Sequence, residues 1–260
     1  MKELIKPIYT LVHQLAERHF GNTRERFRDI DVKGLNQLVT DMDIQVEKEL
    51  VDGLSNILPE AGFLTEEKTT EQRQSGSRWI IDPIDGTTNF IHGVPVYAIS
   101  IGLEIDGEIV LGAVFELNRL EFFHAIHNEG AFLNDERIRV ADHDKLEDTL
   151  IATGFPYYDF ERTGKYLKAL EQFMKRTRGV RRLGSAAMDL AYVACGMFDG
   201  FFEYSLSPWD VAGGSILVRE AGGLVTDFKG DSDYIYGKEI IAAQPKIIHD
   251  FRSIIAGAFA

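Results

Sequence analysis

The segment from Trp79 to Phe90 constrains this chain of 260 residues more than any other. An apolar run, Trp79-Ile80-Ile81, leads directly into two carboxylates, Asp82 and Asp85, and Gly86 and two threonines follow at once. Carboxylates that gather at the end of a buried strand repel each other unless a cation lies between them. The glycine and the threonines can begin a helix whose free backbone N–H groups face an anion. A metal ion on one side and a phosphate on the other is the arrangement that phosphoryl-transfer chemistry uses.

The spacing of the two aspartates supports a metal site. Asp82 and Asp85 can converge on one point across a strand end and a turn. Pro83 fixes that turn and removes an N–H that would otherwise need a partner, and the Ile84 carbonyl then lies between the acids as a candidate ligand. Oxygen-only ligands suit magnesium. For this segment alone, an ordinary helix start with an aspartate N-cap has equal weight.

A second acidic element, Glu66 and Glu67, directly follows a predicted strand at residues 61–65. Because successive side chains on a strand point to opposite faces, at most one of the pair should enter a site squarely. The other would act through water or a bend. Taken alone, the pair is better interpreted as a solvated acidic loop.

A third acidic element is Asp210, which opens a predicted helix at residues 209–221. Taken alone, this aspartate is better interpreted as a helix cap. Gly213 and Gly214 inside the same helix cost about 1 kcal/mol each relative to alanine, which predicts close packing against another backbone. Because it follows Trp209, Asp210 is interpreted as a placed residue rather than an incidental one.

Charge and motif content argue against several classes of function. Nucleic-acid binding requires a basic surface, so the net charge of −13 makes a nucleic-acid backbone an unexpected partner. The same charge is compatible with a divalent cation. The chain contains neither a Gly-x-x-x-x-Gly-Lys-Ser/Thr loop nor a Gly-x-Gly-x-x-Gly motif, which argues against ATP-driven and nicotinamide chemistry.

Three further observations predict a cytoplasmic protein without a membrane partner. The single cysteine, Cys195, cannot form an intramolecular disulfide, which suits a reducing compartment. The N-terminal residues carry charges at Lys2, Glu3 and Lys6 and lack the uninterrupted apolar core of a signal peptide. No apolar run approaches the length of a membrane span.

The pattern of elements changes near residue 145. Helices are predicted at 3–19 and 40–58, strands at 61–65 and 78–82, and a polar loop at 68–77. An antiparallel meander is predicted from 95 to 140, and Asp106-Gly107 in it predicts a hairpin between strands at 96–105 and 108–117. Beyond it, short strands alternate with helices: strands at 149–153, 180–183, 200–204, 223–227 and 239–243, and helices at 161–177, 185–196, 209–221 and 245–257. The chain is therefore predicted to comprise an α+β half, residues 1–145, and an α/β half, residues 146–260, packed as one rigid unit around a cleft.

Together these segments resemble the inositol monophosphatase family of magnesium-dependent, lithium-sensitive phosphatases. Residues 63–67, Phe-Leu-Thr-Glu-Glu, are similar to its Gly-Glu-Glu element, residues 79–90 to its Asp-Pro-Ile-Asp-Gly-Thr signature, and residues 209–212, Trp-Asp-Val-Ala, to its C-terminal element. The resemblance covers nearly the whole chain. It implies the α+β fold of the inositol monophosphatase/fructose-1,6-bisphosphatase superfamily, a layered αβαβα sandwich, and a homodimer.

The resemblance also implies ligands for two or three magnesium ions. Glu66, Asp82 and the Ile84 carbonyl would bind the first ion. Asp82, Asp85 and Asp210 would bind the second. Glu67 would support the shell through water, and the N-terminal half would carry most of these ligands.

Roles in catalysis and substrate binding follow from the same resemblance. Thr87 would orient the attacking water, with Asp43 accepting from its hydroxyl, and Glu66 would join them as a catalytic residue. The N–H groups of Gly86 and Thr87 would hold the phosphate. The residues that would contact the substrate are Asp85, Gly86, Thr87, Gly184, Ser185, Ala186, Glu203 and Asp210.

Several substrates stay open among small phosphate monoesters. Glu203 matches the family position that contacts inositol hydroxyls, which favours inositol monophosphate or a similar polyol phosphate. Fructose 1,6-bisphosphate, NADP and histidinol phosphate are alternatives, and adenosine 3′,5′-bisphosphate ranks lower because residues 88–90 read Thr-Asn-Phe. Alternatives of another class are a catalytically silent protein- or RNA-binding scaffold and a sugar-phosphate- or inositol-binding protein that would bind its ligand without magnesium. The intact acidic set argues against a scaffold, because an unused cluster would carry only an electrostatic cost.

Overall fold

The computed structural model describes residues 1–21, 31–34, 37–39, 41–71, 76–156 and 159–260. Thr40, where the second helix is predicted to begin, and residues 72–75 of the predicted polar loop lie outside these ranges. No helix within them combines the length and the apolarity needed to cross a membrane.

The helices and strands follow the predicted order with small shifts at their ends. The helices are α1 (Lys2–Phe20), α2 (Asp41–Ile57), α3 (Thr87–His92), α4 (Thr163–Arg176), α5 (Ala186–Ala194), α6 (Pro208–Glu220) and α7 (Ile248–Phe259). The strands are β1 (Asp31–Gly34), β2 (Gln37–Val39), β3 (Gly62–Thr65), β4 (Ser77–Asp85), β5 (Ala98–Ile105), β6 (Glu108–Glu116), β7 (Glu121–Ile126), β8 (Gly130–Leu133), β9 (Glu136–Arg137), β10 (Leu150–Thr153), β11 (Gly179–Arg181), β12 (Gly200–Tyr204), β13 (Leu224–Thr226) and β14 (Glu239–Ala243).

A seven-stranded sheet contains β3 to β9 in sequential order. Only β3 and β4 in this sheet run parallel, and the remaining pairs are antiparallel. The predicted hairpin between β5 and β6 is confirmed: Asp106 and Gly107 have φ angles of 51° and 87°. Two successive positive φ angles match the twist of the flanking strands.

A second sheet of five strands has the order β11-β10-β12-β14-β13. In it β10 runs parallel to both β11 and β12, whereas β14 is antiparallel to β12 and β13. A separate pair, β1 and β2, precedes α2. This pair was not predicted from the sequence.

The two sheets and their helices form the expected five layers. Helices α1 and α2 pack on the outer face of the seven-stranded sheet, where Ile8, Leu50 and Trp79 share one core cluster. Helices α5 and α6 lie between the sheets, and α4 and α7 cover the outer face of the five-stranded sheet. The layered αβαβα sandwich is thereby confirmed.

The glycines of α6 lie where the helix approaches other elements most closely. A Cβ atom on Gly213 would be 3.0 Å from the Ile101 carbonyl oxygen and 2.8 Å from the Ser100 hydroxyl, and one on Gly214 would be 2.6 Å from the Leu190 Cβ atom. The predicted close packing against another backbone is confirmed at Gly213. It seats α6, and with it Asp210, directly on β5.

Gly213→Ala is expected to destabilise the fold although alanine is the better helix former. The added methyl group would overpack the contact with β5 at a cost of about 1–3 kcal/mol, which outweighs the helix-propensity gain of about 1 kcal/mol. Gly257→Ala in α7 is the matched control, because nothing lies within 4 Å of its Cβ position. Urea unfolding should therefore show a lower free energy of unfolding for Gly213→Ala and a higher one for Gly257→Ala. Equal stabilisation by both variants would contradict the close packing of Gly213 against β5.

Candidate metal centre and active site

Two aspartates of β4 and one of α6 meet at one point. Asp82, Asp85 and Asp210 each offer a carboxylate oxygen, and these oxygens all lie within 4.8 Å of one another. Asp82 and Asp85 are only 2% and 8% exposed. The two aspartates of the central motif, residues 79–90, and the aspartate of α6 are thus brought together as expected.

An irregularity in β4 lets Asp82 and Asp85 converge. The expectation that this strand ends at residue 82, with Pro83 in a turn, is wrong, because β4 continues to Asp85. Its register with β5 shifts between Asp82, opposite Ser100, and Asp85. Residues three apart on a regular strand would face opposite sides, so the extra residue of this bulge re-aims a side chain. Pro83 has no N–H to contribute to the ladder, which suits it to this position.

Asp210 has a second contact that fixes its orientation. One carboxylate oxygen, Oδ2, accepts a 2.7 Å hydrogen bond from the Ser207 backbone N–H. The Ser207 side chain in turn accepts from the backbone of Asp210, which completes a capping box at the start of α6. The helix cap and the metal ligand are therefore not alternatives for Asp210, since the capped carboxylate also lies in the cluster.

Asp85 joins the central motif to the segment before α5. Its Oδ2 atom accepts hydrogen bonds of 2.6 Å from both the Ser185 hydroxyl and the Ala187 backbone N–H. Gly184 and Gly86 are both left-handed, with φ angles of 92° and 98°. A Cβ atom on Gly86 would lie 3.2 Å from the Gly184 carbonyl oxygen, so the two predicted substrate-binding segments touch.

Thr87, at the start of α3, lies within reach of two acceptors. Its Oγ1 atom is 3.2 Å from Asp43 Oδ1 and 3.0 Å from the Ile84 carbonyl oxygen. Asp43 is 1% exposed and comes from the first turn of α2. The expected pairing of Thr87 with Asp43 is present in the structure.

Glu66 completes the acidic cluster from the end of β3. It forms a side-chain hydrogen bond with Asp82 and interacts electrostatically with Asp210, Glu67 and Asp43. The chain bends at Glu66 and Glu67, directly after β3, and both residues are partly buried.

The loop that carries Glu66 and Glu67 is held by a carboxylate that the sequence analysis missed. Glu47, fully buried on α2, accepts four hydrogen bonds of 2.7–2.9 Å: from the hydroxyls of Thr65 and Thr69 and from the backbone N–H groups of Glu67 and Thr69. The available signal was its spacing, because Glu47 lies four residues after Asp43 and therefore on the same face of α2.

Burial raises the pKa of four carboxyl groups at the centre, those of Glu66, Asp82, Asp85 and Asp210. It raises the pKa of Asp85 to about 6, and burial together with the charge of Asp85 raises the pKa of Asp210 to about 7. Burial and neighbouring carboxylates also raise the pKa values of Glu66 and Asp82 well above their ordinary range. Four crowded carboxylates are costly without a cation, and an all-oxygen set of this kind fits Mg²⁺.

Without metal, the free energy of unfolding should decrease as the pH rises. Because the folded protein binds protons at Asp85 and Asp210 more tightly than the unfolded chain does, the proton-linked stability is present below the ordinary pKa of 3.8. It is lost as the pH rises through about 6 and about 7. Magnesium binds the deprotonated groups, so the rise in Tm that it causes should grow over the same window. Melting curves with EDTA or magnesium from about pH 5 to about pH 8 test this; a magnesium increment independent of pH would contradict it.

Glu203 and Asp189 form a second acidic pair beside the centre. Glu203 lies on β12, and Asp189 lies in the first turn of α5. Burial, then the charges of Asp189 and Asp210, raise the pKa of Glu203 well above its ordinary range. Within the described residues, neither carboxylate oxygen of Asp189 has a hydrogen-bond partner. Asp189 was missed from the sequence because it reads as an ordinary acid near a helix start.

Five alternating layers around a buried carboxylate cluster define a layered α+β protein with a candidate metal centre. A model of the inositol monophosphatase family matches residues 1–256. The chain belongs to the inositol monophosphatase family, and this membership supports a phosphatase.

Individual relatives carry two kinds of name. The chain is 43% identical over 231 residues to the inositol-1-monophosphatase of Mesorhizobium japonicum, which covers 88% of this chain and 86% of the relative. It is also 43% identical over 227 residues to the putative Nus factor SuhB of Neisseria meningitidis serogroup B, covering 87% of each. The crystal structure of the extragenic suppressor protein suhB from Bartonella henselae matches with a TM-score of 0.86 and 42% identity, covering 93% of each chain.

Proposed function

We propose that this protein hydrolyses phosphate monoesters with magnesium and that inositol monophosphate is its preferred substrate. The observation that carries the proposal is the convergence of Asp82, Asp85 and Asp210 within 4.8 Å, beside the hydrogen bond of Thr87 to Asp43. A phosphate monoester resists attack because it is an anion. Bound magnesium ions neutralise that charge, lower the pKa of a water and stabilise the leaving alkoxide.

The acidic side chains would hold the ions in two overlapping sets. Glu66, Asp82 and the Ile84 carbonyl would bind the first ion. Asp82, Asp85 and Asp210 would bind the second, with Glu67 acting through water. The raised pKa values of Asp85 and Asp210, about 6 and about 7, still leave both groups ready to release protons to a cation near neutral pH.

Thr87 and Asp43 would orient the water that attacks phosphorus. The Thr87 hydroxyl donates its hydrogen bond to Asp43, which leaves the lone pairs of the Thr87 oxygen free to accept from a water molecule. That water would donate to Thr87 and direct a lone pair of its own oxygen at phosphorus. Glu66 would accept from the same water on its other side. The backbone N–H groups of Gly86 and Thr87 would hold the phosphate oxygens while the bond to the alkoxide breaks.

The alcohol part of the substrate would lie against the second half of the chain. Residues 184–186 and Glu203 would contact its hydroxyl groups, and the carboxylates of Asp85 and Asp210 would border the same space. An inositol or similar polyol offers hydroxyl groups to such acceptors, whereas an apolar alcohol would leave Glu203 without a partner. The 43% identical relative named inositol-1-monophosphatase supports this choice of substrate.

Assembly as a homodimer, a cytoplasmic location and inhibition by lithium stay predictions.

Phosphate release from a substrate panel tests the proposal. The panel contains inositol 1-phosphate, fructose 1,6-bisphosphate, adenosine 3′,5′-bisphosphate, histidinol phosphate and NADP, each with magnesium, with EDTA and with lithium. Magnesium-dependent release that is fastest from inositol 1-phosphate would support both mechanism and substrate. Faster release from another compound would keep the mechanism and replace the substrate.

A catalytically silent scaffold is the second candidate, favoured by the relatives that carry the name Nus factor SuhB. The complete carboxylate cluster supports catalysis instead, because buried like charges are costly in a protein that does not use them. A folded protein that binds magnesium but releases phosphate from no member of the panel would make the scaffold the better candidate.

A further inference from the structure

Glu203 points toward the substrate region because of its place on β12. Alternate residues on a strand face opposite sides, and the neighbours Phe202 and Tyr204 pack in the outer cluster with α4 and α7. Phe201, two residues away, packs in the central cluster with α5 and α6. Glu203 therefore lies on the same face of β12 as Phe201. There it interacts electrostatically with Asp210 and Asp85 of the candidate metal centre.

Gly154 forms the surface on which the Glu203 carboxylate lies. It directly follows β10, which pairs in parallel with β12 so that Thr153 lies opposite Phe202. A Cβ atom on Gly154 would lie 2.0 Å from the Glu203 carboxyl carbon and 2.0 and 2.1 Å from its two oxygens. Any side chain at this position would occupy the volume of the carboxylate.

Space is the reason for a glycine here, because the backbone conformation does not require one. Gly154 is not among the residues with a positive φ angle. An alanine could therefore adopt the same backbone without strain, and the conflict it creates would involve the Glu203 side chain alone. The end of a flexible side chain can move at small cost to the fold.

The backbone at Gly154 is held in place by the contacts of the preceding residue, Thr153. Thr153 is fully buried, and its Oγ1 atom is 2.8 Å from the Phe202 carbonyl oxygen and 3.0 Å from the Tyr166 hydroxyl. These contacts tie the end of β10 to β12 and to α4. A methyl group on Gly154 would consequently displace the Glu203 carboxylate rather than the strand.

We propose that Gly154 is a specificity-determining positioning residue: by lacking a side chain, it lets the Glu203 carboxylate lie where it contacts the hydroxyl groups of a polyol phosphate. This inference rests on the proposed function. A side chain at Gly154 would force the carboxylate out of this position. Discrimination between polyol and other phosphate esters is lost as a result.

Two substrates separate this role from a general structural one. Gly154→Ala should lower kcat/KM for inositol 1-phosphate about tenfold or more, mainly through KM, because the hydrogen bond between a substrate hydroxyl group and the buried Glu203 carboxyl group is lost. Hydrolysis of 4-nitrophenyl phosphate, whose ring offers no hydroxyl group to Glu203, should change by less than about twofold. Gly164→Ala, where nothing lies within 4 Å of the Cβ position, is the matched control and should change neither.

A double variant tests whether Gly154 acts through Glu203. Glu203→Gln should also reduce kcat/KM for inositol 1-phosphate, and adding Gly154→Ala to it should cause little further loss. Independent, additive losses would overturn the inference, as would equal losses on both substrates.

The failure of the inference can be told apart from the failure of the proposed function. If the unsubstituted protein hydrolyses neither compound with magnesium, the proposed function fails and the inference falls with it. If it is active but Gly154→Ala keeps its preference for inositol 1-phosphate, the inference alone fails. A crystal structure of Gly154→Ala gives an independent decision, because a Glu203 carboxylate that stays in place overturns the proposal.

Discussion

Asp210→Asn is expected to lower kcat at least about a hundredfold while the fold stays intact, since the metal-borne stabilisation of the transition state amounts to several kcal/mol. The substitution removes one of the three charges that meet within 4.8 Å. The amide oxygen of asparagine can still accept from the Ser207 N–H, so the cap of α6 is retained. Turnover of inositol 1-phosphate at saturating magnesium measures the loss.

The stability of the same variant should separate a metal ligand from a structural acid. Because burial and the charge of Asp85 oppose ionisation of Asp210, replacing it by a neutral amide should leave the metal-free protein at least as stable at neutral pH. The rise in Tm caused by magnesium should shrink. Asp250→Asn, an exposed acid in the first turn of α7, is the control and should change neither quantity. Near-normal turnover of Asp210→Asn would remove Asp210 from the ligand set.

The sequence predicted the elements whose pattern is local. Strands β12 and β14 were predicted to the residue, since each is a short apolar run bounded by turn residues. The start of α7 was predicted at residue 245 but lies at Ile248. There the Gln244 side chain accepts a 2.8 Å hydrogen bond from the Lys246 N–H and holds a turn. Such a side-chain bond to the backbone depends on tertiary placement, which local propensity does not report.

The motif residues of the site could be identified because each sits in a short, contiguous pattern. Asp82 and Asp85 are three residues apart. Glu66 and Asp210, which taken alone were better interpreted as a loop acid and a helix cap, gained their roles from the resemblance that the three motifs carry together. The bulge that makes the two aspartates converge was not predictable, because it depends on how β4 pairs with β5.

The residues that support the motifs were missed for a related reason. Gly154 matters only because β10 and β12 become neighbours, and Asp189 only because α5 is buried between the sheets. Neither has a sequence neighbour that indicates its task. Long-range packing creates these roles, so a single sequence carries no local signal for them.

Glu47→Gln is expected to raise the magnesium concentration needed for half-maximal activity by about tenfold or more, with a smaller effect on kcat at saturating magnesium. Removal of a group that supports metal ligands commonly costs about 10–100-fold in metal affinity. Glu47 accepts four hydrogen bonds from the loop that carries Glu66 and Glu67. Glu47 Oε1 accepts three of these bonds, from Thr65 and Thr69, and Oε2 accepts the fourth, from the Glu67 N–H. An amide offers one acceptor oxygen and an NH₂ group that cannot accept, so an amide oxygen at the Oε1 position would leave the Glu67 N–H without an acceptor.

The magnesium titration separates this positioning role from a contribution to stability alone. A lost bond to a buried carboxylate also costs about 1–3 kcal/mol, so Tm should fall as well. Asp52→Asn is the matched control, because Asp52 is exposed on the same helix and the change of chemical group is the same. It should leave both Tm and the magnesium requirement unchanged. If Glu47→Gln lowers Tm but titrates with magnesium like the unsubstituted protein, then Glu47 stabilises α2 and the loop without setting the geometry of the metal ligands.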